Sequence, residues 1–143
     1  MEITEAINYR DSVVALIAAE RLPTEDLQAT LENFRIAIQN DEVIGVAGLE
    51  IYGDYGLLRS LAVQPAHRDK GIASKLLKQI EALAGSKGLK AICLLTETAA
   101  AYFNKKGYST ITRGDVPTGV QGSSEFSHVC PQSAIVMIKN LPR

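Results

Sequence analysis

Apolar and polar residues alternate through the first half of the chain in patterns that predict β-strands. Phe34, Ile36 and Ile38 alternate with polar or small residues, which is typical of a strand with one exposed face. The pair Asn40-Asp41 predicts a tight turn, so this strand and the next would form a hairpin. The strands predicted in this half cover residues 3–7, 34–39, 43–51 and 57–63.

Apolar residues at helical spacing predict four helices. The longest begins near Gly71, carries one apolar stripe (Ile72, Leu76, Ile80 and Leu83), and ends near Gly88. The others run from a cap at Asp11 or Ser12 through Glu20, over residues 24–31 with Thr24 as the cap, and over residues 99–106 with Thr98 as the cap.

The second half of the chain alternates between helices and strands. Residues 91–96 form a continuous apolar run, the pattern of a strand buried on both faces. One or two closing strands are predicted, over residues 134–138 and in the stretch 108–112, and the polar, glycine-rich residues 114–127 predict a loop. We therefore expect a single α/β domain spanning residues 1–143, with helices packed on a mixed sheet.

Composition narrows the functional classes. The net charge of -1 argues against nucleic acid as an obligate partner. The apolar run Val13–Ala19 is too short to cross a bilayer, and the first residues lack the pattern of a secretory signal. Cys93 and Cys130 stand far apart and predict neither a disulfide nor a metal site. We expect a cytoplasmic protein without a metal cofactor and without membrane association.

A basic, glycine-containing turn, residues 68–73, lies between a predicted strand and the longest helix. The first N–H groups of a helix have no partner within the helix, and the helix dipole favours negative charge there. Gly71 has no side chain, so a ligand can approach the backbone closely. Arg68, Lys70 and Lys75 add positive charge. The turn predicts a site for an anionic ligand, such as a diphosphate.

Two motifs identify a family resemblance. Residues 61–73, LAVQPAHRDKGIA, resemble the acetyl-CoA-binding motif of the GNAT superfamily of N-acetyltransferases, and residues 101–108, AYFNKKGY, resemble its second motif. This likeness implies a mixed, mostly antiparallel sheet of about six or seven strands flanked by about four helices. Residues 57–63, 94–96 and 125–134 resemble the subfamily encoded with arsenic-resistance genes.

The resemblance implies an acetyl-CoA-dependent N-acetyltransferase that acts directly on the amine of a small molecule, and a homodimer joined through the C-terminal strand. Main-chain groups of Leu61, Ala62 and Val63 would bind the pantetheine arm and polarise the thioester carbonyl. Phe103 and Asn104 would flank the thiol. The pyrophosphate would be held by Arg68, Asp69, Lys70, Gly71, Ile72, Ala73 and Ser74.

The catalytic protons are less evident. The family often protonates the departing thiolate from a tyrosine at the position that Phe103 occupies here. Tyr102 is one residue earlier, and adjacent helical residues do not share a face, so it is a candidate general acid or else a core or surface residue. Glu50 and Glu97 are candidate bases, with exposed surface carboxylates as the alternative; His128 is expected to be exposed.

Arg59 projects from an otherwise apolar strand, where it is expected to share a face with Leu57, Leu61 and Val63. A buried guanidinium needs a partner. One interpretation is a structural ion pair, for example with Glu50. The other is that Arg59 receives an acidic group of the acceptor, such as an amino-acid carboxylate.

Two further functions remain open. The absence of an obvious base, together with Phe103 at the usual tyrosine position, is also consistent with a coenzyme-A-binding sensor or regulatory module that is catalytically weak or inactive. A site for a nucleotide diphosphate is the other, although the chain has neither G-x-G-x-x-G nor G-x-x-x-x-G-K-[ST].

Overall fold

The computed structural model describes residues 1–27, 31–123 and 134–142, and seven strands of this part form one sheet. The strands are β1 (Glu2–Glu5), β2 (Phe34–Gln39), β3 (Glu42–Tyr52), β4 (Tyr55–Val63), β5 (Ala91–Thr96), β6 (Ser109–Ile111) and β7 (Ile135–Asn140). Their order in the sheet is β1-β2-β3-β4-β5-β7-β6. Neighbouring strands are antiparallel except for β4 and β5, which are parallel. The predicted α/β class and mostly antiparallel sheet are confirmed.

Four α-helices flank the sheet in the described residues: α1 (Arg10–Ala19), α2 (Ile72–Ser86), α3 (Ala100–Lys105) and α4 (Thr118–Gln121). The helix predicted over residues 24–31 is wrong where it can be compared, because residues 24–27 form a turn and residues 28–30 lie outside the described part. The short helix α4 was not predicted, since it lies within residues 114–127, which were predicted to form a loop. One strong apolar stripe was enough to predict α2, whereas these short segments lack such a signal.

The predicted helix caps are also wrong. The residue before α1 is Tyr9, and no side chain caps the helix. Asp11 lies in the first turn, where its negative charge interacts favourably with the helix dipole. Before α3, Thr96 rather than Thr98 supplies the oxygen that accepts the Ala99 N–H, at 3.0 Å.

The β2–β3 hairpin turns where the sequence predicts it. Asn40 and Asp41 both have positive φ, 52° and 62°, which these two residue types tolerate better than most. Strand β1 pairs with β2 but ends at Glu5 rather than at the predicted Ile7, because a 3-10 turn begins at Ile7.

Apolar residues cover both faces of the sheet. On one face, α2 and α3 bury a core that includes Leu58 and Val63 of β4. On the other face, α1 packs over β2 and β3, while α4 covers Leu57 and part of β5 and β7. The segment that follows α1, residues 22–27, belongs to no helix or strand and lies on this second face.

Strands β4 and β5 separate soon after they meet. Their parallel ladder contains only the pairs Tyr55 with Ala91, Gly56 with Ile92 and Leu57 with Cys93. Beyond Leu57, β4 keeps its pairing with β3 on one side, while β5 pairs with β7. The main-chain edges of β4 and β5 that face each other past this point are therefore available to a ligand.

A β-bulge interrupts β4 at the same level. Val46 pairs with Ala62 and Gly48 with Arg59, so two steps on β3 face three on β4. Ser60 lies in this bulge with a φ of 59°. The extra residue reverses which face the later side chains occupy: Leu61 and Val63 pack with α2, whereas Leu57 packs on the opposite face. The expectation that Arg59 shares a face with Leu61 and Val63 is therefore wrong, since it assumed an unbroken strand.

Candidate active site

A groove with a volume of about 860 Å³ begins where β4 and β5 diverge. Four segments line it: residues 20–23 after α1, residues 58–63 of β4, the turn before α2 with the first residues of that helix, and residues 94–99 at and after the end of β5. Tyr102, Phe103 and Ala134 complete the lining. The groove thus joins the helix start predicted to hold an anion to the region around Arg59. We call these its α2 end and its Arg59 end.

At the α2 end, the main chain turns sharply so that helix α2 begins at the groove wall. Gly71 precedes the helix with a φ of 78°, and no heavy atom lies within 4 Å of where a Cβ would be. No side chain caps the first turn, so its N–H groups are open to a ligand. Asp69 also has a positive φ, 62°. This end of the groove has the backbone geometry of an anion site.

The basic side chains of the turn differ in position. Arg68 lines the groove, donates from Nε to the Val63 carbonyl oxygen at 3.2 Å, and forms an ion pair with Glu20. Its side chain remains 51% exposed. Lys70 is exposed and does not line the groove, although Asp69, Gly71, Ile72, Ala73 and Ser74 do.

Helix α3 presents an aromatic pair to the groove. The hydroxyl oxygens of Tyr102 and Ser74 are 2.9 Å apart, and both residues line the groove. The Phe103 ring is buried, lies 5.3 Å from the Tyr102 ring in an edge-to-face arrangement, and also reaches the lining. The two neighbours thus both contribute to the groove wall, although adjacent helical residues do not share a face. Asn104 is exposed, outside the lining, and donates to the Tyr108 carbonyl oxygen at 3.4 Å.

At the other end, Arg59 is the centre of a buried charged cluster. Its side chain is 0% exposed and forms ion pairs with Asp26 at 2.7 Å and Glu50 at 3.1 Å. A second hydrogen bond to Asp26, at 2.9 Å, makes that contact bidentate. Its Nε donates to Ser60 Oγ at 3.0 Å, and Nη2 donates to the Pro23 carbonyl oxygen at 3.2 Å. The structural ion pair with Glu50, one of the two sequence-based interpretations, is thus present.

Glu50 belongs to the same cluster. It is 9% exposed and accepts a hydrogen bond from the Tyr52 hydroxyl at 2.8 Å, so the alternative of an exposed surface carboxylate is wrong. Burial, followed by this hydrogen bond, raises the pKa of Tyr52 well above its ordinary value. Both Glu50 oxygens therefore have partners, and the residue does not line the groove. Glu97 is exposed and does line it.

The sequence pattern did not predict Asp26, Tyr52 or Ser60 as members of this cluster. Asp26 is 33 residues from Arg59 and sits in a segment predicted to be helical. Alternation along β3 could have placed Tyr52 beside Glu50, since residues two apart share a strand face. His128 and Cys130 lie outside the described residues.

The described residues contain no group of three or more histidine, cysteine or acidic side chains arranged to hold a metal ion. In the same part of the chain, no helix is long and apolar enough to cross a membrane.

Comparison with known proteins agrees with this architecture. The family model described as an acetyltransferase (GNAT) domain matches residues 30–110, more than half of the chain. The protein belongs to the GNAT acetyltransferase domain family, as its two sequence motifs predicted. The matched range contains β4, the groove turn, α2 and α3.

Curated relatives include the amino-acid acetyltransferases of Ectopseudomonas mendocina, 36% identical over 90 residues, and of Azotobacter vinelandii, 33% identical over 103 residues. The matches cover 62% and 71% of this chain but only 21% and 22% of those relatives. The chain thus corresponds to about a fifth of their length.

Solved structures share the fold at low sequence identity. Rv2747 from Mycobacterium tuberculosis, solved in complex with CoA, aligns with a TM-score of 0.83 at 22% identity, covering 99% of this chain and 100% of that one. N-acetylglutamate synthase from Neisseria gonorrhoeae, solved with coenzyme A and N-acetyl-glutamate, aligns with a TM-score of 0.81 at 18% identity, covering 99% of this chain and 35% of that one.

Proposed function

We propose that this domain transfers the acetyl group of acetyl-CoA to the amino group of a small molecule, with an amino acid as the acceptor class. The observation that carries the proposal is the continuous groove from the uncapped start of α2, through the gap between β4 and β5, to Arg59. The relatives named amino-acid acetyltransferases support the acceptor class. The neighbours solved with coenzyme A support the cosubstrate.

In this proposal, coenzyme A lies along the groove with its pyrophosphate at the α2 end. The N–H groups of residues 69–74 would bind it there, which the uncapped start of α2 and the open space at Gly71 support. Arg68 adds a positive charge at the wall. The pantetheine arm lies against the free edge of β4, where main-chain groups of residues 61–63 can bind it as they would bind another strand.

The reaction has two proton steps. The neutral acceptor amine attacks the thioester carbonyl carbon, forming a carbon–nitrogen bond and a tetrahedral oxyanion that a β4 main-chain N–H can stabilise. The oxyanion then collapses, the carbon–sulfur bond breaks, and the thiolate receives a proton. We assign this proton to the Tyr102 hydroxyl, which is on the groove wall and hydrogen-bonded to Ser74. The amine loses its proton to water or to a carboxylate. The role of Glu50 as this general base stays a prediction.

Release of free coenzyme A thiol is the direct test. Purified protein mixed with acetyl-CoA and each of the common L-amino acids should release thiol with at least one acceptor, and mass spectrometry should find the N-acetylated product. Protein that binds coenzyme A but releases no thiol with any amine in a broader panel would contradict the transferase and favour the sensor. Competition of coenzyme A with nucleotides in a thermal-shift measurement tests the third function.

Finer features of the same proposal rest on sequence resemblance. The likeness to the arsenic-resistance subfamily includes residues 125–133, of which the structure describes none, and does not define an acceptor. A cytoplasmic location and a lack of nucleic-acid binding are proposed from composition alone. Residues 1–143 are proposed to act as one acetyltransferase domain, which the thiol-release measurement on this chain also tests.

Homodimerisation is proposed from resemblance and is testable by light scattering. Strand β7 already has β5 and β6 as neighbours, so a sheet continued between subunits would have to extend from an edge strand, β1 or β6, or exchange β7.

A further inference from the structure

The carboxylate of Asp26 binds the guanidinium of Arg59 in the way that a free carboxylate ligand would. Its two oxygens accept hydrogen bonds from Nη1 and Nη2 at 2.7 and 2.9 Å, which is the two-point geometry by which arginine binds a free carboxylate. Arg59 also lines the groove at the end opposite to α2. The side chain best suited to hold an amino-acid carboxylate thus already holds one from the protein itself.

The carboxylate comes from a segment without regular structure. Residues 22–27 follow α1, and the side chain of Asp26 is 11% exposed at the border between cluster and solvent. Pro23 of the same segment accepts a further hydrogen bond from Arg59, so two of its residues are fastened to one guanidinium. Residues 20–23 form part of the groove wall. Contact with Arg59 therefore helps to fix the position of that wall, together with the hydrogen bonds of residues 20–22 to α1.

Charge limits what can enter. One guanidinium lies between two carboxylates, Asp26 and Glu50, so a third carboxylate at this place would meet net repulsion. Glu50 is held in strand β3 and by the Tyr52 hydroxyl. Within the part of the chain that the structure describes, the side chain of Asp26 is bonded to Arg59, and it can turn toward solvent with its segment, where water would solvate it. Exchange of one carboxylate for another preserves the charge of the cluster and the two-point contact of Arg59, whereas the hydrogen bond to the Pro23 carbonyl oxygen is lost with the segment.

We propose that Asp26 is an internal carboxylate that an acceptor carboxylate replaces on Arg59, so that acceptor binding releases residues 22–27 from β4. This inference rests on the proposed function, because it takes the acceptor to be an amino acid bound at the Arg59 end. It unites the two interpretations of Arg59: the residue is ion-paired in the free protein and binds the acceptor carboxylate in the complex.

Binding measured by calorimetry on coenzyme-A-saturated protein tests the exchange without requiring turnover. The probes are the common L-amino acids and the primary carboxamide of each that binds. Asp26→Asn removes the competing charge and should tighten the binding of carboxylates about threefold to tenfold, with no such gain for carboxamides. Glu25→Gln removes the neighbouring charge and should bind like the wild type, as should Asp26→Glu, which keeps the carboxylate.

Hydrogen exchange on the unaltered protein supplies a second readout, which is independent of whether Asp26→Asn folds. Amino-acid binding should increase exchange at residues 22–27, while a segment that only supports the wall should become more protected. Weaker carboxylate binding in Asp26→Asn, an equal gain for carboxamides, protection of residues 22–27, or no amino-acid binding at all would overturn the exchange. Bound amino acids with no thiol release would instead refute the transferase and leave the exchange standing.

Discussion

The α2 end of the groove consists mainly of main-chain groups, whereas the Arg59 end consists of a buried side-chain cluster. At the α2 end, the groups that face a ligand are main-chain amides of a few consecutive residues around Gly71. At the Arg59 end the central group is a side chain, and apart from the adjacent Ser60 its hydrogen-bond partners come from 9 to 36 residues away in sequence. The first end holds an open backbone turn, and the second holds a buried guanidinium that donates hydrogen bonds to Asp26, Glu50, Ser60 and Pro23.

This difference separates affinity from selectivity. Main-chain amides at a helix start bind any suitably shaped anion, and their geometry depends on local backbone conformation. A guanidinium shared between carboxylates has an occupancy that depends on what competes for it. We therefore expect changes at the α2 end to alter coenzyme A binding, and changes at the Arg59 end to alter stability and acceptor choice.

The largest expected effect comes from removing a cluster arginine. Arg59→Ala leaves the Glu50 carboxylate buried without its counter-charge and removes the ion pair that holds Asp26, so it should lower the free energy of unfolding by about 3–5 kcal/mol. Arg68→Ala at the α2 end should cost less than about 1 kcal/mol, because that side chain is half exposed. Urea unfolding measures both; similar losses for the two would contradict the comparison.

The next effect concerns the junction between the two ends. Tyr102→Phe removes the proposed proton donor and should lower kcat about 100-fold while leaving coenzyme A affinity nearly unchanged. Ser74→Ala is the matched control for loss of the hydroxyl pair without loss of the phenol, and should lower kcat by less. Steady-state kinetics decide between them. An unchanged kcat in Tyr102→Phe would assign the proton to another group.

A smaller effect distinguishes ligand binding from backbone strain. Gly71 and Gly88 flank the two ends of α2 with φ values of 78° and 73°, and neither has a heavy atom within 4 Å of a built Cβ. Gly71→Ala and Gly88→Ala should therefore lose similar stability, about 1 kcal/mol each. Only Gly71→Ala should weaken coenzyme A binding, by about tenfold or more, as measured by calorimetry. Equal affinities would remove the phosphate site from Gly71.

The smallest expected effect is a pH dependence of stability from Cys93, which lies where β4 and β5 diverge and the groove begins. Burial raises the pKa of the Cys93 thiol, on the last rung between β4 and β5, from 9.0 to about 11. Because the folded pKa is the higher one, this stabilising contribution is complete below pH 9 and is lost as the pH rises through about 11. We expect about 1 kcal/mol less stability at pH 10 than at pH 8, relative to the same change in Cys93→Ala. Parallel pH profiles would contradict this assignment.

Much of the fold was predictable because its signals are local. Alternation predicted β2 at its observed bounds, the turn at Asn40-Asp41 predicted its partner β3 to within one residue at each end, and the apolar run over residues 91–96 predicted β5. The stripe on α2 predicted the long helix. The helix predicted over residues 24–31 and the missed α4 show the limit of this approach, since a segment of a few residues takes its conformation from what it packs against.

The candidate site divides in the same way. Ten of the twelve residues predicted to bind the cofactor line the groove, and Lys70 and Asn104 do not. Arg59 and Tyr102 of the predicted catalytic residues line it, while Glu50 lies behind Arg59. Their roles stay predictions. Asp26 was not predicted, because no local pattern connects it with a residue on β4.

The sequence by itself determined the family, the α/β class and the anion-binding turn, since these depend on motifs and periodicities within about thirty consecutive residues. Only the tertiary structure decided how Arg59 is used. The bulge at Ser60 turns Leu61 and Val63 to the face opposite Leu57, and the divergence of β4 from β5 opens the groove. The fold then brings Asp26 and Glu50 to one guanidinium, because a buried charge must be met by whichever opposite charges the packing places within reach.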